Sequence, residues 1–78
     1  MSIAEMIERI TIDPAVCHGK PCIKGTRIMV SNILNLMSSG ADLQEVLDGY
    51  PELTPQDVYA ALAYAESVIN DEEVILLA

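Results

Sequence analysis

Seventy-eight residues, 51% of them apolar, with four Lys and Arg against twelve Asp and Glu, give a formal net charge of −8. A chain of this length holds one domain and hides only about 60% of its unfolded surface. Neither the apolar tail Val74 to Ala78 nor the longer run Val58 to Ala65 approaches the roughly 20 residues of a membrane span, and the acid excess opposes long-range steering toward phosphate.

With no export signal visible, a cytoplasmic chain is expected, with Cys17 and Cys22 kept as reduced thiols. The apolar fraction exceeds what a lone small domain usually buries, so a homodimer is expected to complete the core. Charge is also uneven along the chain. Residues 1–27 carry all four cations and are net +1, while residues 28–78 carry nine acids and no cation.

In chain order, Ser2-Ile3-Ala4-Glu5 has the form of a capping box, and Ile3, Met6, Ile7 and Ile10 recur at helical spacing, which predicts a helical turn or two. Ile10-Thr11-Ile12 alternates in the manner of a strand and leads into His18-Gly19-Lys20-Pro21-Cys22-Ile23-Lys24-Gly25-Thr26-Arg27-Ile28. Gly19 and Gly25 permit positive φ and Pro21 fixes one φ, so a tight, rigid reversal is predicted, giving a β arm or hairpin over 9–28.

Val30, Ile33, Leu34 and Met37 follow the i, i+3, i+4, i+7 pattern of a helix stripe, with Gly40 placed as a left-handed cap. Asp42 with Glu45 opens a second, short helix that Gly49 and Pro51 close. Thr54, Pro55 and Asp57 open a third, with Leu53 stapled to Val58. Val58, Ala61, Leu62, Ala65 and Ile69 are its expected inward stripe, and Asn70-Asp71-Glu72-Glu73 its stop. The expected fold is α+β and mostly α. It is a single domain over 1–78, with the β arm at 9–28, a three-helix bundle at 29–69 and a C-terminal tail at 70–78.

The run Ile12-Asp13-Pro14, Gly19-Lys20-Pro21, Ile23, Gly25-Thr26-Arg27-Ile28, then Tyr50-Pro51, Leu53-Thr54 and Asp57 through Ala65, resembles the domain-of-unknown-function family four-three-three over about residues 9 to 69. The resemblance implies a homeodomain-like helix-turn-helix and the role of antitoxin in a type II toxin–antitoxin pair. Such a protein would inhibit a PIN-like nuclease toxin by direct contact and would repress its own operon on DNA. A competing class is a dimeric protein-interaction adaptor that binds no DNA.

The second and third helices, joined by Tyr50-Pro51-Glu52-Leu53, have lengths compatible with helix-turn-helix or with two plainly packed helices. On the first alternative Gln56, Tyr59, Ala60 and Tyr64 face outward as candidate DNA contacts, through adenine pairing, methyl contact and phosphate hydrogen bonds. Arg9, Lys20, Lys24 and Arg27 are the candidate partner-binding or anion-binding residues. An inserted cation would displace the metal from the acidic cluster of a PIN-like nuclease. The alternative for Arg27 is structural, tying a carboxylate such as Asp13.

Cys17, His18 and Cys22 fall one ligand short of a structural zinc site. The glycine spacing is not that of a P-loop, and His18 has no nucleophile at a telling distance in sequence. No enzyme, metal or cofactor is expected, and the roles of Cys17 and Cys22 stay open. Val74 to Ala78 would add to a strand of a partner, of a sister chain or of its own chain.

Overall fold

The computed structural model describes residues 3–71. The expected capping role of Ser2 and the apolar tail Val74 to Ala78 lie outside the described residues.

Helix α1 (Ile3–Ile7) leads into strand β1 (Ile10–Thr11), which pairs antiparallel with β2 (Cys22–Ile23) in the register Ile10 to Ile23 and Thr11 to Cys22. The long connection between them is ordered by local bonds. The Asp13 side chain accepts from Ala15 N–H at 2.9 Å, and an isolated bridge joins Asp13 to Val16. Cys17, His18 and Gly19 then adopt φ of 54°, 56° and 81°, three successive residues in the left-handed region.

The tight reversal expected somewhere in this stretch falls at its end. Ile23 N–H donates to the Ile28 carbonyl at 3.0 Å, Cys22 bridges to Met29, and Lys24-Gly25-Thr26-Arg27 forms the tip. Gly25 takes φ 85° there, a conformation costly for other L-residues. Lys24 N–H reaches the Arg9 carbonyl at 2.7 Å, so the tip is fastened to the opposite side as well.

Helices α2 (Val30–Ser38), α3 (Leu43–Gly49) and α4 (Pro55–Asp71) follow. Helix α2 ends as its sequence implies. Gly40 N–H bonds the Met37 carbonyl at 3.0 Å and Ala41 N–H the Leu36 carbonyl at 3.3 Å, around Gly40 at φ 108°. This is the paired closure of a Schellman motif. Helix α3 opens on the expected capping box, with Glu45 N–H to Asp42 Oδ1 and Asp42 N–H to Glu45 Oε1, both at 2.9 Å.

The core gathers Ile23, Ile28, Val30, Ile33, Val46, Leu53, Val58 and Ala61. Leu53 and Val58, the expected staple, are both in it. Helix α4 is the hub, packing against α1, α2, α3 and β1. It departs from expectation in two ways. It runs through Asn70 to Asp71, where the Asn70 amide bonds the Glu66 carboxylate one turn back and so serves the helix instead of ending it. Its buried sector is also rotated: Val58 and Ala61 are inside as expected, but Leu62 is 40% and Ile69 69% exposed, while Ala60 is fully buried. The packing of α1 and β1 moves the covered side round to Asp57, Ala60 and Ala61.

Candidate functional site

The four cations, close in sequence, divide in space. Arg9 turns inward, its Nη1 3.1 Å from Asp57 Oδ1, with the side chains 38% and 12% exposed. Asp57 is held from its own helix as well. Its Oδ2 accepts from Thr54 N–H at 3.0 Å and its N–H donates to Thr54 Oγ1 at 3.3 Å, a second capping box with an aspartate in the place of the usual glutamate. Arg9 therefore fastens the junction of α1 and β1 to the first turn of α4. The expectation that it would be free to enter a partner's site is corrected by this pairing.

Lys24 and Arg27 are different. Both are exposed on the tip that follows β2, and neither joins an ion pair among the described residues. The carboxylate considered for Arg27, Asp13, bonds Ala15 N–H instead.

The tip is braced from below. The Thr26 hydroxyl donates to the Ile23 carbonyl at 2.8 Å and accepts from Ile28 N–H at 3.0 Å. The Cys22 thiol lies 3.7 Å from the Thr26 carbonyl and the Cys17 thiol 3.3 Å from that of Arg27. Both sulfurs are buried and free, and burial, followed by the neighbouring Cys17, pushes the Cys22 thiol above its ordinary range. A thiol in that state packs and donates; it is a poor nucleophile at rest.

Above this base, Lys24, Gly25, Thr26 and Arg27 line an open groove of about 580 Å³ with Thr11, Val16, Ile28 and Glu52. Lys24 also borders a smaller one, about 350 Å³, lined by Glu5, Glu8, Arg9 and Asp57. Chemically, the first groove offers two mobile cationic heads on a fixed backbone, suited to carboxylates or phosphate. Thr11, Val16 and Glu52 were not foreseen as its walls, since only the pairing of β1 with β2 and the turn before α4 bring them there.

Lys20 sits elsewhere. With Pro21, Val30, Ser31, Leu34, Tyr64, Ala65, Val68 and Ile69 it borders a largely apolar groove of about 430 Å³ between α2 and the later part of α4. Leu62 and Tyr59 add exposed apolar surface on the same helix.

Of the four residues expected to meet DNA, Gln56 and Tyr59 are exposed, while Ala60 is fully buried and Tyr64 packs partly against the core. The outward placement of Ala60 is thus corrected, because the helix is covered on the side where it was read as free. Helix α4 carries no Lys or Arg. No helix among the described residues is long and apolar enough to cross a membrane.

Residues 10–65 match the family described as "Protein of unknown function (DUF433)". A solved member of that family from Anabaena variabilis is 36% identical, covering 87% of this chain and 68% of its own, with a TM-score of 0.74. The crystal structure of Rv2018 from Mycobacterium tuberculosis is 28% identical at a TM-score of 0.63 over 77% of this chain and 27% of its own. An uncharacterized protein, y4eO of Sinorhizobium fredii, is 28% identical over 65 residues, 83% of this chain. The chain spans 29% of the length of that relative.

Proposed function

Because the chain belongs to the DUF433 family, whose function is not established, we propose that it is a dimeric antitoxin of a type II pair, acting in the cytoplasm by direct contact with a PIN-like nuclease. One observation carries the reading. On a chain of net charge −8, Lys24 and Arg27 stand exposed and without ion-pair partners among the described residues, on a turn fixed by the Thr26 hydroxyl and two thiols. A nuclease of that kind holds its metal in a cluster of acids. The stiff turn spares the backbone part of the ordering cost, and the two cations pair well with the carboxylates of such a cluster.

The test is inhibition of the nuclease encoded by the adjacent reading frame. The wild-type chain inhibits, and the double variant Lys24→Ala/Arg27→Ala is expected to need at least about tenfold more protein for the same inhibition, with unchanged circular dichroism. Equal inhibition by the two chains overturns the reading.

A second copy of the chain is proposed to cover the apolar groove between α2 and α4. That face carries one cation, Lys20, beside Leu34, Tyr64, Val68 and Ile69. A twofold axis would lay two such apolar faces against each other and take Val68 and Ile69 out of water. Operator binding would fall to the exposed side of α4. Gln56, Tyr59 and the partly exposed Tyr64 are its candidates on α4, and phosphate neutralisation would fall to Lys20, Lys24 and Arg27. The adaptor alternative, contact with protein and none with DNA, is favoured by the absence of any cation on α4.

A further inference from the structure

The thiols beneath the cationic tip are placed for more than packing. Cys17 and Cys22 belong to different parts of the arm, yet their sulfurs rest on the carbonyls of two successive residues, Arg27 and Thr26. The Cys22 side chain is within hydrogen-bonding reach of Cys17, and no third Cys, His, Asp or Glu joins them in a metal-holding group among the described residues. The backbone at Cys17, His18 and Gly19 is in the left-handed region, at φ 54°, 56° and 81°. For the first two residues that is a strained state, and it is relieved when the segment opens.

We propose that Cys17 and Cys22 form a reversible intramolecular disulfide, a modification site that unfastens the turn bearing Lys24 and Arg27. The oxidant is a small disulfide such as oxidised glutathione. When residues 17–19 open, Cys17, the less buried of the two, loses its proton to solvent and its thiolate attacks one sulfur of the small disulfide. A mixed disulfide forms and one small thiolate leaves. Cys22 then loses its proton and attacks the Cys17 sulfur, expelling the second small thiolate. Two protein thiols are oxidised to one disulfide, and one small disulfide is reduced to two thiols.

A disulfide sulfur has no hydrogen to donate. The Thr26 and Arg27 carbonyls therefore lose both thiol donors together, and the tip keeps only its Thr26 and main-chain bonds. In a reducing cytoplasm the pair stays as thiols, and a shift toward oxidised glutathione switches it. The inference does not require the antitoxin reading, because it is scored on the chain alone.

The experiment incubates the folded full chain, in native buffer, with graded mixtures of reduced and oxidised glutathione, followed by acid quenching, alkylation and peptide mapping. The expected product is a single chain lacking two hydrogens, crosslinked between Cys17 and Cys22, with thiol labelling reduced at least about tenfold and restored by dithiothreitol. Cys17→Ser and Cys22→Ser chains should stop at a mixed glutathione adduct or remain free. Amide exchange at residues 24–27 should quicken at least about tenfold in the crosslinked chain.

Thiols that stay fully alkylatable in native buffer overturn the proposal, whether or not the same chain crosslinks in urea. A disulfide joining two chains overturns it too. A crosslink that leaves exchange at residues 24–27 unchanged overturns the release of the turn.

Discussion

From Pro55 to Ala61, helix α4 is capped by Thr54, tied to Arg9 through Asp57 and buried at Val58, Ala60 and Ala61. From Leu62 onward the same helix leaves Leu62, Val68 and Ile69 at the surface and lines the apolar groove beside α2. Both halves are rich in apolar residues and both continue one helical ladder, so neither composition nor propensity separates them. What differs is the surroundings. The first half buries Asp57, Val58, Ala60 and Ala61 while leaving Gln56 and Tyr59 exposed, whereas no described residue from Leu62 onward is fully covered. One rod thus anchors the fold at one end and presents surface at the other.

That contrast can be broken most severely in the anchored half. Val58→Asp puts an unpaired charge among fully buried neighbours and is expected to cost about 4 kcal/mol or more, enough to abolish the cooperative transition in a urea melt of so small a domain. Retention of that transition would show that the anchored half is not where stability resides.

A smaller effect sharpens the role of the cap. Asp57→Ala removes a capping carboxylate and the partner of Arg9, with an expected loss of about 1–3 kcal/mol. The Arg9→Ala chain should lose less, and the double variant should show about 0.3–1 kcal/mol of coupling, because the arginine is more than a third exposed and solvent screens the pair. Strict additivity of the two substitutions would mean that the ion pair contributes nothing beyond the cap.

The smallest effect on stability belongs to the presenting half. Ile69→Glu should change the urea midpoint by the equivalent of about 0.5 kcal/mol or less, yet, if two copies pair through this face as proposed, leave a monomer in sedimentation where the wild-type chain gives a dimer. A dimer that survives the substitution would remove this face from the assembly.

Local signals were read well from the sequence where one residue type meets one backbone need. Gly40 past α2, Asp42 with Glu45, and the Thr54-Pro55-Asp57 start are each satisfied within a few residues of chain, and each sits where expected. The phase of α4 was not legible. Alanine is small enough for either side, so the spacing of Val58, Ala61 and Leu62 defines a period without saying which elements arrive to cover it. Asn70, a common terminator, was misread because its amide found Glu66 one turn back.

The site was legible as a cluster of cations and illegible as a geometry. The sequence clusters Arg9, Lys20, Lys24 and Arg27, but in space Lys20 lies on another groove and the pairing that takes Arg9 out of play joins residues 48 positions apart. No local pattern reveals such a partner. The two thiols under Thr26 and Arg27 were likewise visible as residues and invisible as braces, since the bonds go to carbonyls, which every residue possesses.

The clasp between positions 9 and 57 also sets a timetable for biogenesis. While the ribosome is still making the middle of the chain, the guanidinium has nothing to hold, and the opening helix lacks the long final helix it lies along. Assembly must wait for most of the polypeptide to emerge, and an interrupted translation product would be open to proteases along its whole length.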